Sequence, residues 1–172
     1  MALMASTRRE ADAQSFPLLV YVLTPLLALG LQSFVTLHFP HFATLDLPLL
    51  VVIYFATTLR TPVVATVGGG LLGLAQDALT HQPLGVFGIA KAFIGYLAAS
   101  LGVRIDTENV GTRLVLTFLF VLLNNGIDWI LVRHLLAEPM PWGWLYQLLR
   151  AVINTLVAII LFALLDRLKS RE

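Results

Sequence analysis

The chain has 172 residues, of which 58% are hydrophobic and 12% charged, about half the charged fraction of roughly 25% found in soluble domains. With 11 basic and 10 acidic residues and a mean hydropathy of +0.86, the sequence cannot cover a soluble surface, and its net charge of +1 is too dispersed to hold nucleic acid. Cysteine is absent, which excludes disulfides, thiol nucleophiles and thiolate metal sites.

The predicted fold is all-α: one polytopic membrane bundle of six helices, over about 16–37, 47–59, 63–79, 84–103, 112–136 and 145–165. A polar amino-terminal segment, 1–15, precedes it and is read as cytoplasmic and mobile. Phe16 to Leu37 is long enough to cross a hydrocarbon core of about 30 Å, and Pro25 inside it should bend it. Arg8 and Arg9 before this run suggest a signal peptide, but no small-residue cleavage pattern follows, so it is read as a retained span.

The second run, Leu47 to Leu59, reaches only about 20 Å as a helix. Asp46 has the chemistry of its N-cap and Pro48 falls in its first turn, so a short helix packed against protein is expected. Breaks follow at Arg60-Thr61-Pro62, His81-Gln82-Pro83, Asp106 to Gly111 and Glu138 to Pro141. Residues 166–172 form a basic tail. With six crossings, Arg8, Arg9, Arg60, Arg104, Arg113, Arg167, Lys169 and Arg171 share one face and only Arg133 falls on the other, which places both termini in the cytoplasm. Trp129, Trp142, Trp144 and Tyr146 then gather at the outer interface.

Small residues mark the third and fourth spans. Gly88, Ala92, Gly95, Ala99 and Gly102 recur at four- and three-residue intervals and share a helix face, matched by Gly69, Gly70 and Gly73. Such a face lets another helix approach closely, either within the bundle or from a partner. A phosphate cradle would need a strand-to-helix loop and a following Lys-Ser/Thr, and the sequence has neither.

Four ionisable residues fall inside spans: Asp77, Lys91, Asp128 and Arg150. At about 1.5 Å per residue, all four lie in one layer in the outer third of the membrane. Asn124 and Asn125 precede Asp128 by four and three residues, and Gln147 and Asn154 flank Arg150, so the fifth and sixth spans each carry a polar stripe. Pairing of Asp77 with Lys91 and of Asp128 with Arg150 is expected, with the swapped pairing open. The layer reads either as interhelical glue or as the lining of a pocket that takes a solute or relays protons. His38, His41, His81 and His134 lie near the outer face, where solvated imidazoles are the expected state, so no metal site and no cofactor is assigned. No hydrolase, zinc-protease, P-loop or intramembrane protease motif is present, and no enzyme is expected.

Three stretches carry a resemblance: Asp46 to Tyr54, Gly70 to Asp77, and above all Pro83-Leu84-Gly85-Val86-Phe87-Gly88 running on to Gly95-Tyr96-Leu97-Ala98. Over about residues 20–165 the chain resembles the bacterial rod shape-determining MreD family. It departs in the order Asp46-Leu47-Pro48, where the family usually has Pro-Asp. The resemblance implies an inner-membrane scaffold of the elongation complex that guides peptidoglycan synthesis. Its partner would be the single-span MreC, in a wider complex with actin-like MreB, a glycosyltransferase of the shape and division family and a transpeptidase. The family also looks like the six-helix substrate-binding subunits of energy-coupling-factor transporters, which leaves a solute-binding transporter subunit as the alternative.

Overall fold

The computed structural model describes residues 16–38, 44–80, 83–107, 109–137, 139 and 141–169. Among them the chain is all-helical: α1 Leu18–His38, α2 Leu47–Leu59, α3 Pro62–Thr80, α4 Val86–Gly102, α5 Val110–Ile130 continued by a π-helical turn Leu131–Leu135, and α6 Trp144–Asp166. Each helix falls within a few residues of the expected run. The amino-terminal segment, His41, His81 and the last three tail residues lie outside the described residues.

The helices α1, α3, α5 with its π turn, and α6 are long and apolar enough to cross a membrane, whereas α2 and α4 are shorter. The organisation of α2 explains how a 13-residue helix belongs in such a bundle. Leu49, Leu50, Val51, Ile53, Tyr54 and Ala56 are all buried, so α2 is apolar around its whole circumference rather than along one stripe. It touches all five other helices. Its neighbours, not lipid, surround it, and its length need not match the hydrocarbon thickness.

Both ends of α2 are closed by specific chemistry. At the start, the Asp46 carboxylate accepts the Leu49 N–H, with proline in the first turn. At the finish, Arg60 adopts the left-handed conformation at φ 54° and its N–H returns to the Ala56 carbonyl, reversing the chain into α3. The outer helices carry the reverse pattern of exposure. Leu19, Val22, Leu26, Leu27 and Leu31 of α1, and Leu156, Ile160 and Leu164 of α6, face outward, as lipid-facing positions should.

Side-chain contacts set the helix directions. Gln32 late in α1, Gln76 late in α3, Lys91 early in α4 and Asn154 in the first half of α6 all reach the Thr44–Leu47 segment. We call this the polar end. At the opposite, basic end, Tyr54 of α2, Arg113 of α5 and Asp166 of α6 meet.

Candidate functional site

The α3–α4 pair forms the rigid floor of the polar end. A Cβ on Gly69 would meet the Lys91 carbonyl, one on Gly73 the Phe87 carbonyl, and one on Gly95 the Ala65 carbonyl. These backbones touch, which only glycine permits. Gly88 lies against Leu74, with 2.9 Å to its Cγ, and Gly70 packs against Ala92 at 3.5 Å. Gly102 continues the row onto α2, where its Cβ would sit 2.9 Å from the Thr57 carbonyl, and Ala99 is fully buried. The face is thus occupied by close helix contacts within the chain. The glycines with open space above them are others, Gly30, Gly68, Gly85 and Gly126.

On this floor stands a network centred on Asp46. Lys91 Nζ lies 2.9 Å from Asp46 Oδ2, with the side chains 0% and 2% exposed. The other carboxylate oxygen takes the Leu49 N–H at 3.1 Å and the Gln76 amide at 3.5 Å. Asn154 accepts the Asp46 N–H at 2.9 Å and donates to the Thr44 carbonyl at 2.8 Å, to which Arg150 also donates at 3.3 Å. Gln32 closes the other side, accepting the Leu47 N–H at 3.1 Å and donating to the Leu45 carbonyl at 2.8 Å. Four helices therefore fix one short backbone segment. The buried charge survives there because it is both paired and hydrogen-bonded.

This arrangement overturns the expected pairing. Lys91 goes to Asp46, which the sequence marks only as a helix cap. Asp77 serves a different purpose: its carboxylate accepts the N–H groups of Gly85 at 2.8 Å, Phe87 at 3.0 Å and Gly88 at 3.3 Å. It caps the amino terminus of α4 from the neighbouring helix, where the unsatisfied donors and the helix dipole favour negative charge. Gly85 makes this possible. It has no side-chain cap of its own, and its φ of +107° turns its N–H toward Asp77 in a conformation that disfavours other residues. Pro83 and Leu84 lead into that turn, which gives the Pro83-Leu84-Gly85 motif a local structural role.

The α5 stripe is organised otherwise. Asn124 donates to Asp128 Oδ2 at 2.8 Å, and Asp128 forms no ion pair with Arg150 among the described residues. It lies within electrostatic reach of Lys91, Asp46, Arg150 and Asp77. Asn124, Asn125, Asp128 and Gln147 are each more than nine-tenths buried. Oxygen atoms of all four, together with the Asn125 amide nitrogen, have no hydrogen-bond partner among the described residues.

Sequence reasoning missed a second polar cluster, at the basic end. Asp166 receives both terminal nitrogens of Arg113, at 2.7 and 3.2 Å. It also accepts the Tyr54 hydroxyl at 2.8 Å and pairs with Lys169 at 2.8 Å. The Arg113 guanidinium lies over Tyr54 and Phe162. The cluster ties α2, α5 and α6 together where the basic residues gather. At the polar end the aromatic grouping is a ladder: Trp142 packs edge-on against Trp129 at 5.4 Å and Trp144 at 5.2 Å. Trp144 and Tyr146 are exposed, as residues of a membrane interface are.

An apolar groove of about 490 Å³ opens between α1, α2 and α3, lined by Tyr21, Pro25, Phe55, Val64, Gly68 and Leu72 among others. No group of three or more His, Cys, Asp or Glu side chains that could hold a metal ion occurs among the described residues.

A family model described as rod shape-determining protein MreD matches residues 13–168. No curated protein and no solved structure matches the chain.

Proposed function

The chain belongs to the rod shape-determining protein MreD family, and from that premise we propose that it acts as a non-enzymatic scaffold which binds the transmembrane helix of MreC. A role in rod shape determination and a place in the membrane follow from the family and the apolar helices. On this reading, binding MreC helps to position peptidoglycan synthesis within the complex that includes MreB, a glycosyltransferase and a transpeptidase. Both termini are cytoplasmic: Arg60, Arg104, Arg113, Arg167 and Lys169 belong to the connections and helix ends at the basic end, where the positive-inside rule places the cytoplasm.

The observation that carries the reading is the unused outer face of α3. Gly68 is exposed with nothing within 4 Å of where its Cβ would stand, and Val64 and Leu71 beside it are exposed as well. A partner helix can approach closely there and fill the groove against α1, because a small residue lowers the separation of the two backbones.

The test compares two glycines of the same helix pair. Gly68→Leu should leave the fold intact and lower the recovery of co-purified MreC at least about tenfold, equivalent to roughly 1.4 kcal/mol. Gly95→Leu should instead unfold the bundle, since its side chain would enter the Ala65 backbone. Unchanged MreC recovery with Gly68→Leu would remove this face from consideration, and no recovery with the unmodified chain would remove MreC as its partner.

A further inference from the structure

We propose that Asp128 and the carboxamides around it bind a small monovalent cation. The starting point is an imbalance of hydrogen-bonding groups. Asp128 Oδ1, Asn124 Oδ1, Asn125 Oδ1 and Gln147 Oε1 are buried oxygens without a donor among the described residues, against one such nitrogen in the same side chains, Asn125 Nδ2. Three of them come from α5. Asn124 and Asn125 lie four and three residues before Asp128, on either side of it on one helix surface. The fourth stands in the first turn of α6, on its buried face, and α6 packs against α5. Leaving such a group unmet in a buried site is destabilising, and hydrocarbon outside the bundle supplies no donor. Several unmet acceptors on two packed helices, one of them a carboxylate, call for a positive ligand.

The charges of the region lead to the same occupant. Asp46 is matched by Lys91, and Asp77 by the amino terminus of α4. Arg150 donates to the Thr44 carbonyl. Asp128 has a neutral amide as its hydrogen-bond partner. Counting Asp46, Asp77 and Asp128 against Lys91 and Arg150 leaves one negative charge in excess when Asp128 is ionised, the form a bound cation would favour. The donor set is all oxygen with a single carboxylate, which suits a hard ion of charge +1; hard divalent ions recruit more carboxylates, and softer metals take nitrogen or sulfur.

The backbone at the site is also irregular. Three residues beyond Asp128, α5 gives way to the π turn Leu131–Leu135, and the Leu131 N–H is shared between the Ile127 and Asp128 carbonyls. Such turns are rare and occur frequently at functional sites.

The experiment is thermal unfolding of the purified full chain in nanodiscs, in sodium, potassium or choline chloride at equal ionic strength. A cation that binds only the folded state raises the midpoint in a concentration-dependent way. The expected result is a rise with sodium or potassium over choline, lost in Asp128→Asn. In Asn125→Leu the concentration for half the effect should increase at least about tenfold, equivalent to roughly 1.4 kcal/mol of affinity. Equal midpoints of the unmodified chain in all three salts would overturn the proposal and leave water as the occupant. So would a cation effect that survives Asp128→Asn, or an unchanged half-effect concentration in Asn125→Leu, the variant that decides the matter if Asp128→Asn does not fold.

Discussion

The network around Asp46 and the patch around Asp128 lie within electrostatic reach of one another and draw on similar residue types, yet they are built in opposite ways. Asp46 has a lysine, a glutamine and a backbone N–H on its carboxylate, and its own N–H is taken by Asn154. Asp128 has one carboxamide, surrounded by groups that lack partners. The first is closed by helices converging from four directions and therefore specifies how they pack. The second holds polar atoms that nothing among the described residues satisfies. Burial and charge alone cannot separate glue from a binding site; the completeness of the hydrogen bonding does.

Substitutions can break this contrast or sharpen it. The largest effect is expected for Lys91→Met, which strands Asp46 as an unpaired buried charge and should cost about 3–5 kcal/mol in reversible unfolding in bicelles. Adding Asp46→Asn, which keeps a capping side chain while removing the charge, should restore most of that loss. No restoration would mean that the pair is not what Lys91→Met disrupts.

Asp77→Ala should cost about 2–3 kcal/mol by the same measurement, because three N–H groups at the start of α4 lose a charged acceptor. Its signature is local: hydrogen exchange should quicken at Gly85, Phe87 and Gly88 before the rest of α4. Gln32→Ala, which frees only the α1 side of the network, should cost about 1 kcal/mol. Asn125→Leu should have the smallest effect and the opposite sign. In choline chloride it should be neutral or stabilising by up to about 1 kcal/mol, since an unsatisfied amide is replaced by an apolar group. A destabilisation as large as that of Gln32→Ala would erase the distinction between the two regions.

Much of this was legible in the sequence because it depends on local chemistry. The helix runs follow from apolar length and from breaks at proline, glycine and charged residues. Asp46 was recognisable as an N-cap from its place before Leu47-Pro48, and the spacing of Gly69, Gly73, Gly88 and Gly95 announced close backbone contact. The unusual length of α2 was visible too, but its central position was not, since a helix apolar all round says that it is buried without saying by what.

The partners of the charged residues were not legible. Lys91 meets Asp46 across 45 positions, and Asp166 meets Arg113 and Tyr54 across 53 and 112. Depth along a helix can be estimated at about 1.5 Å per residue, so the sequence could place ionisable groups in one layer. Which of them touch depends on how the helices are rotated and ordered around α2. Asp77 shows the limit most clearly. An acid at that depth resembles a partner for Lys91 until the glycine turn at Gly85 presents three backbone donors that a sequence of side chains does not display. Composition and periodicity determined that this chain is a helical membrane protein with a buried polar layer. Tertiary structure alone decided which buried charges are matched and which remain open, because pairing between distant positions is a property of packing geometry.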